Sequence, residues 1–280
     1  MSVGHYENFP VASLLLPRAL RGAVQTLYAF ARTADDLADE GTAPPAERLA
    51  ALHRLQAHLD AIAAHAPLPQ DEFTPLAARL REVIRQHDLP VRACADLLTA
   101  FRQDVTTTRY ASFPALRDYC RHSADPVGRL LLALYRAEGT PQQREWSDNI
   151  CTALQLINFC QDVAIDLQKG RIYIPQDEMA QHGVSESDLA AARATEPFQR
   201  LLAAQLARAE TMMRTGAPLA RALPGRIGWE LRLIVQGGLT IIERIRAADY
   251  DIFQHRPTLR PRDWAQMCAR AAFAYPQAQR

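Results

Sequence analysis

LQLINFCQDVAIDLQKG, residues 154–170, sets Asn158, Asp162 and Asp166 at strict four-residue spacing among Leu156, Ile157, Phe159, Val163 and Ile165. That spacing stacks side chains on one face of an α-helix, a turn apart. The apolar-periodic pattern extends back to Pro141 and forward to Lys169-Gly170, a cation and glycine that end helices, with Pro175 beyond. It predicts one uninterrupted helix from Pro141 to Lys169. Carboxylates in so apolar a helix require cations, and buried ionisable groups concentrate at functional sites.

Helical periodicity also governs the flanks. Pro17 suits a first helical turn, and Leu20, Val24, Leu27, Phe30 and Ala31 predict a buried face on a helix running to about Glu40, where Gly41 and Pro44-Pro45 intervene. Further helices are expected over about Ala46–His65, Thr74–His87, Pro90–Arg109, Phe198–Leu223, Gly228–Tyr250 and Asp263–Phe273. The pattern from Phe113 to Ala137 carries Pro126, which removes a backbone donor and predicts a break beside Asp125. With 48% apolar residues, few β-branched runs and 12 glycines in 280 residues, the expected class is all-α. No internal repeat or low-complexity linker divides the chain, so a single domain over 1–280 is expected.

Bulk properties exclude some partners. A formal net charge of +1 supplies no field for nucleic acid. The five cysteines lack CxxC spacing and read as reduced thiols, which fits the cytoplasm. MSVGHYENFP carries an acid and a proline where a signal peptide needs a basic and then an apolar run. Leu231–Ile245, among the longest apolar stretches, is interrupted by Arg232, Gly237, Gly238 and Glu243, so no membrane crossing is expected. Peripheral membrane contact stays open, and oligomeric state is not legible.

A second acidic group lies far upstream. Asp35 and Asp39 are four apart near a predicted helix C-terminus, with Asp36 and Glu40 beside them. Like charges at that spacing repel, and acids there oppose the macrodipole, so a cation must offset them. Arg32 offsets part. An isolated DxxxD also fits a solvated helix end; the second acidic helix favours a magnesium site, since Mg²⁺ binds through a few carboxylates plus substrate phosphates. Arg32, Lys169 and Arg171 are candidate contacts for phosphate oxygens, with a helix-end cation as the other reading of Lys169. Tyr28, Tyr119 and Tyr250 offer aromatic faces to a carbocation, or belong to the core.

Three segments, YAFARTADDLAD (28–39), YCRHSADPVG (119–128) and LQLINFCQDVAIDLQKGRIYIP (154–175), together resemble the squalene and phytoene synthases, head-to-head prenyl synthases of the all-α isoprenoid synthase fold. The resemblance spans about residues 5 to 255. It implies that Asp35, Asp39, Asp162 and Asp166 are the magnesium-diphosphate carboxylates, with Gln155 and Asn158 beside the second set and Asn158 among the metal ligands. It also implies Arg32 as a diphosphate contact, Tyr28 as a wall of the reaction cavity, and Phe9 and Tyr119 as prenyl-chain or cavity contacts. The break at Asp125-Pro126 falls where the family has its Ala-Gly break.

Departures from the family pattern bear on the reaction. Many relatives place Arg before the Asp at 162 and an acid before the Asp at 166; this chain has Gln161 and Ile165, and Ser123-Ala124-Asp125 stands where VAG is usual. ENFPVAS, SADPVGRLLL and NFCQDVAIDLQKGRIYIP are most similar to the bacterial hydroxysqualene synthases of hopanoid biosynthesis. The resemblance therefore implies ionisation of presqualene diphosphate with Mg²⁺, rearrangement and capture by water, giving hydroxysqualene. Tyr28, Tyr250, Asn158 and Asp125 are candidates to position that water. No Gly-rich βαβ fingerprint suggests a nicotinamide module. Phytoene, dehydrosqualene or squalene formation, and a non-catalytic scaffold, remain the alternatives.

Overall fold

The computed structural model describes residues 17–137, 139–254, 256–273 and 275. Among them the regular elements are helices, plus one isolated parallel bridge between Arg109 and Ile172. After a 3₁₀ turn at Arg18–Leu20 come α1 (Arg21–Asp39), α2 (Pro45–Ala63), α3 (Thr74–His87) and α4 (Val91–Thr106). Then follow α5 (Phe113–Ser123), α6 (Asp125–Leu134), α7 (Pro141–Gln161) and α8 (Val163–Gln168). The remainder are α9 (Gln176–Gln181), α10 (Glu186–Ala190), α11 (Glu196–Gly216), α12 (Leu219–Ala222), α13 (Gly225–Ala247) and α14 (Pro261–Phe273).

Three expected elements differ. The helix expected over Pro141–Lys169 is interrupted at Asp162, whose φ of −108° and ψ of 11° leave the helical region. The single helix expected over Phe198–Leu223 divides at Pro218, which has no N–H to continue the ladder. α13 begins at Gly225, directly after Pro224, rather than at Gly228. The short α9 and α10 were not expected, although Ser185 and Asp188 form a capping box that opens α10.

The chain divides into two compact units. One comprises the described residues of 17–107 and 119–144. Its core is built from Phe30, Ala34 and Ala38 of α1, Leu52, Leu55 and Leu59 of α2, Leu80 of α3, Leu98 of α4, and Leu130 and Leu134 of α6. Burial of a Leu or Phe side chain contributes about 1.5–3 kcal/mol, and this apolar stripe fixes which face of α1 turns outward. Ala34 and Ala38 point in; Asp35 and Asp39, one residue on, are only partly covered. The loop before α3 is held by buried His58, whose Nε2 lies 2.7 Å from Asp71 Oδ1.

The other unit comprises the described residues of 108–118 and 145–275. Within it α7 packs closely on α11 and α13. A Cβ on Gly216 of α11 would stand 2.5 Å from the Trp146 carbonyl oxygen, and one on Gly238 of α13 would stand 2.7 Å from Met213 Cε and 3.3 Å from Ile157 and Leu154. Phe198, Leu201, Leu202 and Leu206 of α11 and Val235, Ile242 and Ile245 of α13 complete the core. The segment 108–111 binds the segment after α8, where Ile172 N donates to Thr108 O at 2.9 Å and Gln176 N to Tyr110 O at 2.9 Å.

Candidate active site

In the first unit the acidic end of α1 is organised by one guanidinium. Arg32 Nη1 lies 3.1 Å from Asp35 Oδ2, and its Nη2 lies 2.7 Å from Asp36 Oδ1 and 2.8 Å from Glu40 Oε1. Three carboxylates therefore share one cation. Burial works against the charge of Arg32, but Asp36, Asp35 and Glu40 outweigh it and hold the guanidinium above its ordinary value, with Tyr28 adding to the same field. Arg32 is 48% exposed, so each pairing is worth little alone. Tyr28 and Asp39 are half-buried on the same helix.

The break expected beside Asp125 is found there: α5 ends at Ser123, Ala124 adopts φ −116° and ψ −53°, and α6 starts with Asp125 at N1 and Pro126 after it. Asp125 has no exposed surface, and its place in a first helical turn suits a carboxylate. Tyr119, on α5, turns its hydroxyl to Asp104 of α4 at 3.0 Å, with both residues buried.

In the second unit Asp162, at the interruption between α7 and α8, is bonded along the backbone to both acidic-stripe neighbours. Asp162 N donates to Asn158 O at 2.9 Å and Asp166 N to Asp162 O at 2.8 Å. Asn158, Asp162 and Asp166 thus keep the successive-turn relation that their spacing predicts. Gln155 is half-buried a turn further back on α7. Past α8, Gly170 at φ 74° lets Arg171 N donate to Asp166 O at 2.8 Å, a Schellman-type ending. Asp166 and Arg171 then line a small pocket with Phe159, Val163, Ile172 and Tyr173. Lys169 is exposed at the helix end.

Aromatic residues not singled out from the sequence border that pocket. Phe159 stacks on Tyr173 with ring centroids 3.9 Å apart and planes within 7°, and Tyr110 stacks on Tyr173 at 5.7 Å. Tyr250 is half-buried beyond the end of α13, in left-handed backbone (φ 60°) together with Asp249 (φ 49°), and its amide donates to Ile245 O at 2.9 Å. Two consecutive non-glycine residues there are conformationally costly. Phe9 lies outside the described residues.

A residue with no local signature also reaches the second acidic stripe. Arg256 grips Asp162 with two nitrogens: Nε to Oδ1, and Nη2 to Oδ2 at 3.1 Å. Next to it, buried Gln161 donates its side-chain amide to the Pro257 carbonyl. Only the folded chain brings residues so distant in sequence together.

The donor set fits magnesium in one specific way. Among the described residues no three His, Cys, Asp or Glu side chains stand together as a ready metal cage. Mg²⁺ binds through one or two carboxylates and completes its shell with water and substrate phosphates. Asp35 with Asp39, and Asp162 with Asp166, are hard-oxygen pairs of that kind. No described helix is long and apolar enough to cross a membrane.

Comparison with known proteins gives one answer. The squalene/phytoene synthase family profile matches residues 3–263. A hydroxysqualene synthase of Sinorhizobium fredii is 34% identical over 245 residues, covering 87% of this chain and 80% of its own, and one of Zymomonas mobilis is 35% identical over 238 residues, covering 82% and 76%. Among solved structures, squalene synthase HpnC from Alicyclobacillus acidocaldarius is 38% identical with a TM-score of 0.79, covering 88% of this chain and 90% of its own. A dehydrosqualene synthase in complex with ligand, 24% identical, shares the fold at a TM-score of 0.76 over 92% of this chain and 87% of its own. By profile, relatives and fold together, this chain is an enzyme of the squalene/phytoene synthase family.

Proposed function

We propose that the protein converts presqualene diphosphate and water to hydroxysqualene and diphosphate, acting as a single catalytic domain. The supporting observation is the second acidic stripe: Asp162 and Asp166, a turn apart, beside Arg171 and the Phe159–Tyr173 stack. The similarity to proteins named hydroxysqualene synthase supports hydroxysqualene as the product.

In this reading Asp35, Asp39, Asp162 and Asp166, with Asn158, would hold magnesium. Magnesium would stabilise the charge that builds on the departing group. Arg32 and Arg171 contact diphosphate oxygens, with Lys169, Gln155 and Tyr250 at the margin of the site. The C–O bond breaks with its electron pair leaving on the diphosphate. The cyclopropylcarbinyl cation rearranges against Tyr28 and Tyr119, and water adds its oxygen and gives up a proton. One C–O bond is lost and one is formed, so no reductant is consumed. The reaction is assigned to the cytoplasm, at most in peripheral contact with the membrane that receives the lipid product.

A second reading, squalene formation, is favoured by one observation: the 38% identical structure bears the name squalene synthase. Incubation of the purified protein with Mg²⁺ and presqualene or farnesyl diphosphate, with and without NADPH, separates the two. Hydroxysqualene from presqualene diphosphate without NADPH supports the proposal; squalene appearing only with NADPH overturns it. Phytoene or dehydrosqualene would identify the other family reactions, and a protein inert toward every prenyl diphosphate would point to a scaffold.

A further inference from the structure

Both carboxylate oxygens of Asp162, a proposed magnesium ligand, are gripped by a side chain from a distant segment. Arg256 supplies Nε to Oδ1 and Nη2 to Oδ2, the paired geometry that makes guanidinium–carboxylate contacts strong. The side chains are 20% and 13% exposed, so water screens this pair far less than the Arg32 cluster. A metal ion approaching Asp162 needs the same oxygens.

The segment carrying Arg256 is tethered at several points. Gln161, 1% exposed, donates to the Pro257 carbonyl. Thus the neighbours 161 and 162 hold the neighbours 256 and 257, at the place where α7 gives way to α8. On one side Asp251 Oδ1 accepts from Phe253 N and Gln254 N, each at 3.2 Å. On the other, Arg260 N donates to Asp263 Oδ2 at 2.6 Å, and Asp263 is paired in turn with Arg244. A neutral glutamine at 161 cannot itself neutralise Asp162. It can hold in place the segment that does.

Resting on the assignment of Asp162 as a magnesium ligand, we infer that Arg256 is a resident counter-cation that occupies the Asp162 carboxylate until divalent metal displaces it, and that Gln161 positions Arg256 through Pro257. Free metal then meets a protein whose competent form is a minor fraction, and its apparent affinity falls by that fraction. Arg256 and Gln161 are positioning residues in this scheme: they act on a ligand of the metal.

The test is a titration with Mn²⁺ alone, followed by calorimetry, in the full chain and in Arg256→Ala, Gln161→Ala, Asp162→Ala and the Asp162→Ala/Arg256→Ala pair. Arg256→Ala should tighten Mn²⁺ roughly ten-fold, the factor released when the paired state no longer dominates. Gln161→Ala should shift affinity the same way by less, and Arg256→Ala should add nothing once Asp162 is gone. In the unmutated protein, Mn²⁺ should speed hydrogen exchange at the hydrogen-bonded Gln254 and Arg260 amides of this segment as Arg256 lets go, a readout that no variant's folding can obscure. Unchanged or weaker Mn²⁺ binding in Arg256→Ala, or exchange at Gln254 and Arg260 that does not rise, overturns the inference. If Asp162→Ala leaves Mn²⁺ binding as it was, the assignment of Asp162 to the metal fails first, and the inference with it.

Discussion

The hydroxyl of Tyr119 donates to Asp104 Oδ2 across 3.0 Å, and both side chains are buried, at 4% and 9% exposure. The bond ties α5 to α4. Its loss removes a donor from a carboxylate that water cannot readily reach, which costs about 1.5–3 kcal/mol. Tyr119→Phe should therefore lower the urea midpoint without changing the slope of unfolding. A loss of activity with unchanged stability would instead assign Tyr119 to the chemistry.

Two glycines should respond differently to alanine. At Gly238 the new Cβ meets the flexible ends of Met213, Ile157 and Leu154, whereas at Gly216 it meets the Trp146 carbonyl at 2.5 Å and Ile150 N at 3.1 Å, which are backbone. Overpacking costs about 1–3 kcal/mol, with the rigid neighbour at the high end. Thermal unfolding should rank Gly216→Ala well below Gly238→Ala.

Acid should loosen α14 through Asp263. Its pairing with Arg244 outweighs its burial and, with the Arg260 amide, holds the carboxyl below its ordinary 3.8. A depressed carboxylate contributes stability that is fully present above the unfolded value and lost as pH falls through the folded one. The unmutated protein should thus lose stability from about pH 4 downward, and Asp263→Asn should flatten that part of a Tm-versus-pH curve while lowering Tm at pH 7.

Among the cations after α8, position predicts importance. Arg171 lines the pocket with Asp166, while Lys169 is exposed. Arg171→Ala should reduce kcat/KM by roughly ten-fold or more, the scale of one charge-assisted contact, whereas Lys169→Ala should change it by less than about three-fold. Equal losses would make Lys169 a substrate contact of the same rank.

Much of this was readable from spacing. Periodicity located α1 to α4 and the break before Pro126, because apolar stripes and prolines act locally. Four-residue spacing foretold the turn-by-turn succession of Asn158, Asp162 and Asp166, which two backbone bonds keep despite the interruption at Asp162. The interruption itself was hidden: no proline or glycine marks it, and the side chains fastened there belong to a segment 94 residues away. Arg256 was missed for the same reason, since an arginine in a loop has no period. Tyr173 and Tyr110 acquire meaning only when 108–111 meets the segment after α8.

The most direct test of the central claim is to supply the purified protein with Mg²⁺ and presqualene diphosphate in ¹⁸O-labelled water, without NADPH, and weigh the product. The account predicts hydroxysqualene carrying one ¹⁸O atom, and no product from Asp35→Ala or Asp162→Ala. A hydrocarbon product, or an alcohol without the label, would contradict it.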